Sequence, residues 1–195
     1  MDIINTLKDL DTQLFLFLNS KHNSFFDPVM FWVSHKFFWI PLYLFFLFLA
    51  WKYYGKNVWL VAIAAGLAIL LADQISVHAF KNIFLRYRPC HNCEIGSQVH
   101  LNGGRGGMYG FISSHASNTF ALAMLLWLLF RNKMKYFGFF VFLWAAFVSY
   151  SRIYNGVHYP ADIIAGAIVG MGIGVVVFKL FSFIENKISR NEKIH

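Results

Sequence analysis

Three short clusters in the sequence combine cationic, hydroxyl and imidazole side chains in a way that suits phosphate chemistry. The clusters are Lys81 with Arg88 and Pro89, then Ser113, Ser114 and His115, then Ser151, Arg152, His158 and Asp162. Lysine, arginine and hydroxyl groups bind phosphoryl oxygens through short hydrogen bonds, many of them charge-assisted. Two histidines in such a site can divide the work, one as nucleophile and one as proton donor. The residue types therefore favour a site that binds an anion, most naturally a phosphate, and acts on it.

Two of the clusters stand where a helix is predicted to begin. Ser113 or Ser114 is a good N-cap residue, and Pro160 suits the first position of a helix. The free N–H groups and the positive dipole end at each helix start then add to the anion site. Asp162 follows His158 by four residues and is placed to hold its imidazole in one tautomer.

The composition of the chain is that of an integral membrane protein. Of its 195 residues, 58% are hydrophobic, 13% are charged and 23 are phenylalanine, whereas about 25% of the residues in a typical soluble domain are charged. In a soluble protein the net charge of +8 would suggest nucleic acid as a partner. In a membrane protein the basic residues instead set the orientation of the loops. We therefore expect contact with membrane lipids and no nucleic-acid partner.

The hydropathy pattern predicts an all-α, polytopic transmembrane bundle of about five spans, forming one domain over residues 1–195. The spans are predicted at 37–53, 58–80, 114–130, 136–151 and 160–181. A span needs about 20 residues, so several of these reach that length only with their polar ends. Residues 6–19 and 24–34 are too short or too charged to span and are predicted to be interfacial helices. The chain thus divides into interfacial helices at 1–35 and a transmembrane bundle at 36–185.

The basic residues between the spans predict which face of the membrane carries the three clusters. With five spans, the polar segments 81–113 and 151–159 lie on the same side. The basic residues on the opposite side are Lys52, Lys56, Arg131, Lys133, Lys135, Lys187, Arg190 and Lys193. Basic residues in short loops favour the cytoplasm. The clusters are therefore expected to face the periplasm or the cell exterior, in a protein of the bacterial cytoplasmic (inner) membrane.

In order and internal spacing, the clusters resemble the three signature motifs of the type 2 phosphatidic acid phosphatase (PAP2) superfamily. The matching stretches are Lys81-x6-Arg88-Pro89, Ser113-Ser114-His115 and Ser151-Arg152-x5-His158-x3-Asp162. The second motif departs from the usual Pro-Ser-Gly-His of the family, because Ile112 and Ser114 stand where Pro and Gly are expected. The departure keeps Ser113 and His115 in place and bears only on the backbone contact expected at Ser114.

The resemblance implies a phosphatase that works through a phosphohistidine. It assigns His158 as the nucleophile, Asp162 as the residue that orients it, and His115 as the group that protonates the leaving oxygen and then activates water. The residues that it assigns to the phosphoryl oxygens are Lys81, Arg88, Ser113, Ser114 and Arg152. It implies neither a metal nor a cofactor. The expected substrate is a lipid phosphate or pyrophosphate, of the phosphatidic acid, phosphatidylglycerol phosphate, undecaprenyl pyrophosphate or lipid A type.

The same residues are also compatible with two other functions. A lipid phosphotransferase has the same chemistry, and a small anion transporter can use the same cations. Transport is disfavoured because the spans are nearly pure hydrocarbon apart from Asp73, Gln74 and His78. Any one cation at the end of a span also has a simpler explanation, since such side chains often only extend to the interface.

Two further patterns are predicted to be structural. Cys90 and Cys93 form a C-x-x-C pair, which is weak support for zinc because a zinc site needs four ligands. A local disulfide is expected instead on the oxidising side of the membrane. The last predicted span carries four glycines that allow close helix packing, namely Gly166, Gly170, Gly172 and Gly174.

Overall fold

The computed structural model describes residues 3–192, so Lys193, one of the basic residues used above, lies outside the described residues. The chain begins with two helices, α1 (Ile3–Asn19) and α2 (Phe26–Val33). One face of α1 exposes an apolar stripe made of Ile3, Leu7, Leu10, Leu14 and Phe17. Its other face buries Phe15 and Asn19 against the rest of the protein. An amphipathic helix with an exposed apolar face suits a membrane surface, as predicted.

The remaining long helices form the bundle. They are α3 (Ile40–Tyr54), α4 (Val58–Ile75), α6 (Ser114–Phe130), α7 (Phe137–Tyr154) and α8 (Pro160–Glu192). A π-helical turn at Ser76–Lys81 continues α4 into the three-residue α5 (Asn82–Phe84). The predicted spans agree with these helices to within a few residues, except at the end of α8. The span is predicted to end at 181, and the helix continues beyond it through a charged segment, because polar residues end an apolar run without ending a helix.

The bundle is apolar enough to cross a membrane. Three continuous helical stretches have the necessary length and hydropathy, namely Lys36–Phe84, Phe137–Tyr154 and Pro160–Ile188. The first of these contains both α3 and α4, joined by a short 3-10 turn at Gly55–Asn57. The shorter helix α6 is also apolar. The protein is therefore an all-α, polytopic transmembrane bundle, as predicted.

Helix α6 lies at the centre of the bundle, in contact with α4, α7 and α8. The approach of α8 is close because three of its glycines, spaced by four residues, face α6. A Cβ atom on Gly166 would lie 2.7 Å from the carbonyl oxygen of Ser113, and one on Gly174 would lie 2.6 Å from that of Ala121. Gly172 faces open space instead. The predicted close packing therefore involves only three of the four glycines.

The segment between α5 and α6 crosses the end of the bundle and is fixed there by Asn19 of α1. The Asn19 side chain accepts a hydrogen bond from the His100 backbone N–H (2.8 Å) and donates to the His100 carbonyl (3.0 Å). It also donates to the carbonyls of Ile153 and Tyr154, at 3.1 and 2.8 Å. One buried amide thus joins α1, the end of α7 and this crossing segment.

We expect Gly170→Ala to destabilise the bundle by about 1–3 kcal/mol. A Cβ atom at Gly170 overlaps the backbone carbonyl of Ser117 in α6, and no side-chain rotation relieves that overlap. The matched control is Gly172→Ala on the same helix, where the added methyl group meets open space. The control is expected to be neutral or slightly stabilising, because alanine favours a helix over glycine by up to about 1 kcal/mol.

The measurement is the thermal unfolding midpoint of each variant in detergent, followed by size-exclusion chromatography. Equal midpoints for the two variants would show that α6 and α8 do not depend on the glycine face for their packing.

Candidate active site

His158 and Asp162 form a buried pair where α8 begins. The two residues are 1% and 0% exposed, and His158 Nδ1 lies 3.3 Å from Asp162 Oδ2. The same oxygen accepts a hydrogen bond from the backbone N–H of Tyr159 at 3.0 Å. When Nδ1–H points to the carboxylate, the lone pair of a neutral imidazole is on Nε2. This geometry suits the orienting role predicted for Asp162.

The surroundings of His158 favour its neutral form. Burial lowers the pKa of the imidazole well below its ordinary value, and the nearby cations Arg88, Arg152 and Lys81 lower it further. A hydrogen bond with the backbone of Gly110 acts in the opposite direction without reversing the shift. A neutral imidazole keeps its nucleophilic lone pair. The cations suited to binding a phosphate therefore also keep this histidine unprotonated.

Arg86, which was not among the predicted phosphate-binding residues, connects Asp162 to the N-terminal helix. Its Nη1 donates to Asp162 Oδ1 at 3.0 Å, and its Nη2 donates to Asp11 Oδ2 at 2.6 Å. The guanidinium also lies over the ring of Tyr159, with Cζ 4.0 Å from the centroid. The other oxygen of Asp11 accepts from the Ala161 N–H in the first turn of α8, at 2.8 Å. Asp11 thus caps α8 and holds Arg86 against Asp162.

Lys81 and the two serines occupy the adjoining ends of α4 and α6. Lys81 closes the π-helical turn and donates from Nζ to Ser114 Oγ at 2.7 Å. Ser113 is the N-cap of α6, because its Oγ accepts from the Ala116 N–H at 3.4 Å. The backbone N–H of Ser113 donates to the carbonyl of Asp162 at 3.0 Å. The departure from the motif at Ser114 therefore adds a hydroxyl partner for the lysine, which glycine does not offer.

Arg88 is buried beneath a glycine-containing loop. Its side chain is enclosed by the backbone from Gly106 to Gly110, and its Nε donates to the carbonyl of Tyr109 at 3.3 Å. A Cβ atom on Gly106, whose φ is +66°, would lie 2.8 Å from the guanidinium Nη1. One on Gly110 would lie 3.0 Å from the Cγ atom of Arg88 and 3.2 Å from Asp162 Oδ2. Both glycines make room for the arginine next to the His158–Asp162 pair.

Helix α2 reaches the site through Ser34, the residue that follows its last turn. The Ser34 hydroxyl accepts a hydrogen bond from Arg152 Nη1, and the Ser34 carbonyl lies 3.2 Å from His115 Nε2. His115 also lies close enough to Arg152 and His158 to interact with them electrostatically. The Nε of Arg152 is buried and has no hydrogen-bond partner within residues 3–192. That donor is available to an oxygen of a bound anion.

A cavity of about 130 Å³ adjoins these groups. Its lining residues are Phe31, Ser34, His35, Asn102, Gly104, Arg152, Asn155 and Val157. Phe31 supplies an apolar wall from α2, and the amides of Asn102 and Asn155 supply a polar wall. The cavity therefore presents both polar and apolar side chains next to Arg152.

The predicted disulfide between Cys90 and Cys93 is wrong, because both cysteines are free thiols in the structure. Cys90 is buried in the 3-10 turn Pro89–His91, with Sγ 3.5 Å from the carbonyl of Arg105. Cys93 follows that turn and is exposed. A disulfide needs the two Cβ atoms to face each other at close range, whereas here one thiol points inwards and the other outwards.

The PAP2 superfamily profile matches residues 60–185, which is more than half of the chain. The chain belongs to the PAP2 superfamily. Two curated relatives extend the match beyond that region, and both are named lipid A 4'-phosphatase. The one from Bacteroides thetaiotaomicron is 40% identical over 190 residues, covering 96% of this chain and 82% of the relative. The one from Porphyromonas gingivalis is 36% identical over 181 residues, covering 92% and 76%.

Two solved structures resemble this PAP2 protein in fold. LpxE of Aquifex aeolicus matches with a TM-score of 0.64 at 22% identity, covering 87% of this chain and 95% of that one. The PAP2-type phosphatidylglycerolphosphate phosphatase of Bacillus subtilis matches with a TM-score of 0.67 at 18% identity, covering 94% and 88%. At these identities the similarity concerns the fold alone. The family match and the two relatives named as phosphatases make the protein a phosphatase, and its apolar helices make it an integral membrane protein.

The fold of this PAP2 protein brings all the predicted site residues to one end of the bundle. They are Lys81, Arg88, Ser113, Ser114, His115, Arg152, His158 and Asp162. Their individual roles stay predictions. Sequence reasoning missed Asp11, Ser34 and the part played by Arg86, because contacts with residues more than 70 positions away leave no local spacing pattern.

We expect Asp11→Ala to lower kcat for phosphate release by about 10- to 100-fold, with a smaller change in KM. The substitution removes a cap from α8 and a charge-assisted partner from Arg86, and such hydrogen bonds are worth about 1.5–3 kcal/mol each. Because Asp11 acts through Arg86 and Ala161, it is a positioning residue. The matched control is Asp9→Ala, since Asp9 is exposed on the same helix.

The measurement is phosphate release from a lipid phosphate in mixed micelles, with kcat and KM determined separately for each variant. Asp11→Asn, which keeps the acceptor oxygen, should retain more activity than Asp11→Ala. A wild-type kcat in Asp11→Ala would show that α1 has no part in positioning the site.

Proposed function

We propose that this PAP2 protein is a lipid phosphatase that removes the 4'-phosphate of lipid A. The observation that carries the proposal is the buried His158–Asp162 pair, with Lys81, Arg88 and Arg152 close enough to shift the imidazole pKa. The names of the two relatives that match more than nine tenths of the chain support the choice of lipid. The other lipid phosphates considered above are the alternatives against which the choice is to be tested.

The reaction proceeds in two displacements at phosphorus. In the first, Nε2 of His158 forms a bond to phosphorus while the bond to the lipid oxygen breaks, and His115 gives a proton to that oxygen. In the second, His115 accepts a proton from water, the water oxygen bonds to phosphorus, and the phosphorus–nitrogen bond breaks. Inorganic phosphate leaves and His158 returns to its neutral form. Asp162 holds the imidazole tautomer during both displacements.

The cations and the two serines stabilise the transferring group. Negative charge on the equatorial oxygens is best stabilised by donors that are fixed before the reaction begins. Lys81 is held by Ser114, Arg88 by the glycine-containing loop, and Arg152 by Ser34. The buried Nε of Arg152, which has no hydrogen-bond partner within residues 3–192, supplies a further donor for a phosphoryl oxygen.

A lipid suits this site better than a soluble ester. The site lies at the ends of transmembrane helices, and α2 exposes aromatic side chains beside the cavity, with Phe31 and Trp32 42% and 51% exposed. A lipid can rest its acyl chains on such surfaces while its phosphate enters the pocket, and each buried CH₂ contributes about 0.8 kcal/mol. The cavity next to Arg152, with its polar wall of Asn102 and Asn155, offers a place for the sugar that carries the phosphate.

The site is proposed to face the periplasm from the inner membrane. The opposite end of the bundle carries Lys52 near the end of α3 and Lys133 in the turn between α6 and α7. These two lysines lie over the same aromatic ring, that of Tyr53. Basic residues in short connections favour the cytoplasm, which supports an outward-facing active site.

We expect His158→Ala and His115→Ala each to lower kcat by about 10³-fold or more, while the protein remains extractable and monodisperse. Each removes a group that takes part directly in bond making or proton transfer, and neither has a substitute nearby. Asp162→Asn should be slower than wild type by about 10²-fold and not inactive, because it removes orientation and charge but keeps the nucleophile. Enzyme quenched in alkaline detergent, where the phosphorus–nitrogen bond is stable, should carry label from ³²P-lipid on His158, and near-normal turnover in His158→Ala would overturn the mechanism.

The choice of substrate is tested with a panel in mixed micelles. We expect kcat/KM for bis-phosphorylated lipid A to exceed that for phosphatidylglycerol phosphate, phosphatidic acid and undecaprenyl pyrophosphate. Mass spectrometry of the product should show loss of the 4'-phosphate and retention of the 1-phosphate. Faster turnover of another lipid would show that this other lipid, and not lipid A, is the substrate. Equal turnover of a short water-soluble phosphomonoester would show that the substrate need not be a lipid. Transfer of the phosphate to an added lipid acceptor in place of water would make the protein a phosphotransferase.

Orientation is tested by thiol labelling in a background with Cys90→Ser and Cys93→Ser. We expect Gly104→Cys to react with a membrane-impermeant reagent in intact cells, because Gly104 is exposed at the active-site end. Asn132→Cys, which is exposed at the opposite end, should react only after the membrane is permeabilised. The reverse labelling pattern would place the active site in the cytoplasm.

A further inference from the structure

A second polar cluster lies outside the three motifs, where the turn between α1 and α2 meets the segment that precedes α6. One potential ligand atom from each of His22, Asp27 and His100 lies within 4.8 Å of the other two. His100 Nε2 is 3.0 Å from Asp27 Oδ1. The rings of His22 and His100 are stacked, with centroids 3.7 Å apart and planes at 5°. Two imidazoles and a carboxylate thus converge at one point.

We propose that His22, Asp27 and His100 bind a divalent transition-metal ion, for which Zn²⁺ is the best match. Zinc binds imidazole nitrogen and carboxylate oxygen at about 2.0–2.2 Å in tetrahedral geometry, so its ligand atoms lie about 3.3 Å apart. The 3.0 Å separation of His100 and Asp27 is already close to that value. Magnesium and calcium fit less well, because they prefer sites made of oxygen atoms alone. A water molecule completes the four ligands.

The surrounding structure holds these ligands in place, as the outer shell of a metal site does. The hydroxyl of Tyr154 donates to Asp27 Oδ1 at 2.8 Å. Asn19 fixes the backbone of His100 through both its N–H and its carbonyl. Two of the three ligands are therefore held in position by neighbouring side chains.

His22 is the adjustable member of the set. It is exposed in the turn after α1, whereas Asp27 and His100 are half-buried. A small rotation of its ring brings a nitrogen atom into the coordination sphere without moving the other two ligands. The competing explanation is a plain Asp27–His100 ion pair with His22 stacked on it. That explanation predicts no metal binding and no effect of His22 on it.

An ion at this position joins the start of α2 to the segment that precedes α6. Asp27 lies in the first turn of α2, and Ser34, just past the other end of the same helix, contacts His115 and Arg152. The ion therefore stabilises the wall that α2 contributes to the active site. It takes no part in phosphoryl transfer, because the phosphate-binding cations and the two catalytic histidines are separate residues.

The test measures Zn²⁺ binding to the tag-free, full-length protein in detergent after EDTA treatment and dialysis, by competition with a fluorescent zinc indicator. We expect one Zn²⁺ per wild-type chain and a loss of affinity of at least about 100-fold in His22→Ala and His22→Gln, since even an outer-shell change costs about 10- to 100-fold. The matched control is Cys93→Ser, which removes an exposed thiol that could also bind zinc and should keep wild-type affinity. Zn²⁺ should raise the unfolding midpoint of the wild type and of Cys93→Ser but not of the His22 variants.

Metal-free His22→Ala should release phosphate as fast as the metal-free wild type, which shows that the exposed position tolerates the change. No saturable binding to the wild type at micromolar Zn²⁺ would overturn the proposal. So would equal affinity in the wild type and both His22 variants. Loss of binding in Cys93→Ser, with the His22 variants unaffected, would assign the ion to the thiols and overturn it as well.

Discussion

The carboxyl group of Asp162 and its own backbone carbonyl hold three parts of the protein together. The side chain bonds the ring of His158, the backbone N–H of Tyr159 and the guanidinium of Arg86. The carbonyl accepts the N–H of Ser113, where α6 begins. A fully buried carboxylate is stable only when its oxygens are satisfied in this way. The starts of α6 and α8 and the segment after α5 are therefore placed by a single residue.

Around Asp162, the basic side chains outnumber the carboxylates that are bonded to them. Arg86 is balanced by Asp11 and Asp162, whereas Lys81, Arg88 and Arg152 have hydroxyl and carbonyl partners and no carboxylate bonded to them within residues 3–192. Unpaired cations are costly in an apolar bundle. A phosphoryl group supplies both the missing charge and acceptors for free donors. Burial does most to keep His158 neutral, and the same cations add to that effect, so they contribute both to phosphate binding and to the nucleophilic strength of the imidazole.

The helices were predictable from hydropathy and the site residues from motif spacing, and each kind of pattern has its own limit. Apolar runs located the spans, but they gave no reason for α8 to continue to Glu192, because helix formation does not require apolar residues. Motif spacing located His158 and Asp162, which lie only four residues apart where α8 begins. The roles of Ser34 and Asp11 could not be predicted in this way, because these residues bond partners 118 and 150 residues away in the chain. The wrong disulfide had a related origin, since spacing does not show which way two side chains point.

The long separation between Asp11 and Ala161 has a consequence for how the protein is made. Ribosomes add about 5–20 residues per second, and these two partners are 150 residues apart in the chain. About 8–30 s therefore pass between the synthesis of Asp11 in α1 and the synthesis of the first turn of α8, which Asp11 caps. For almost all of that interval neither His158 nor Asp162 has been synthesised. The active site therefore cannot form before residue 162 has been made, by which point α1 to α7 have already been synthesised.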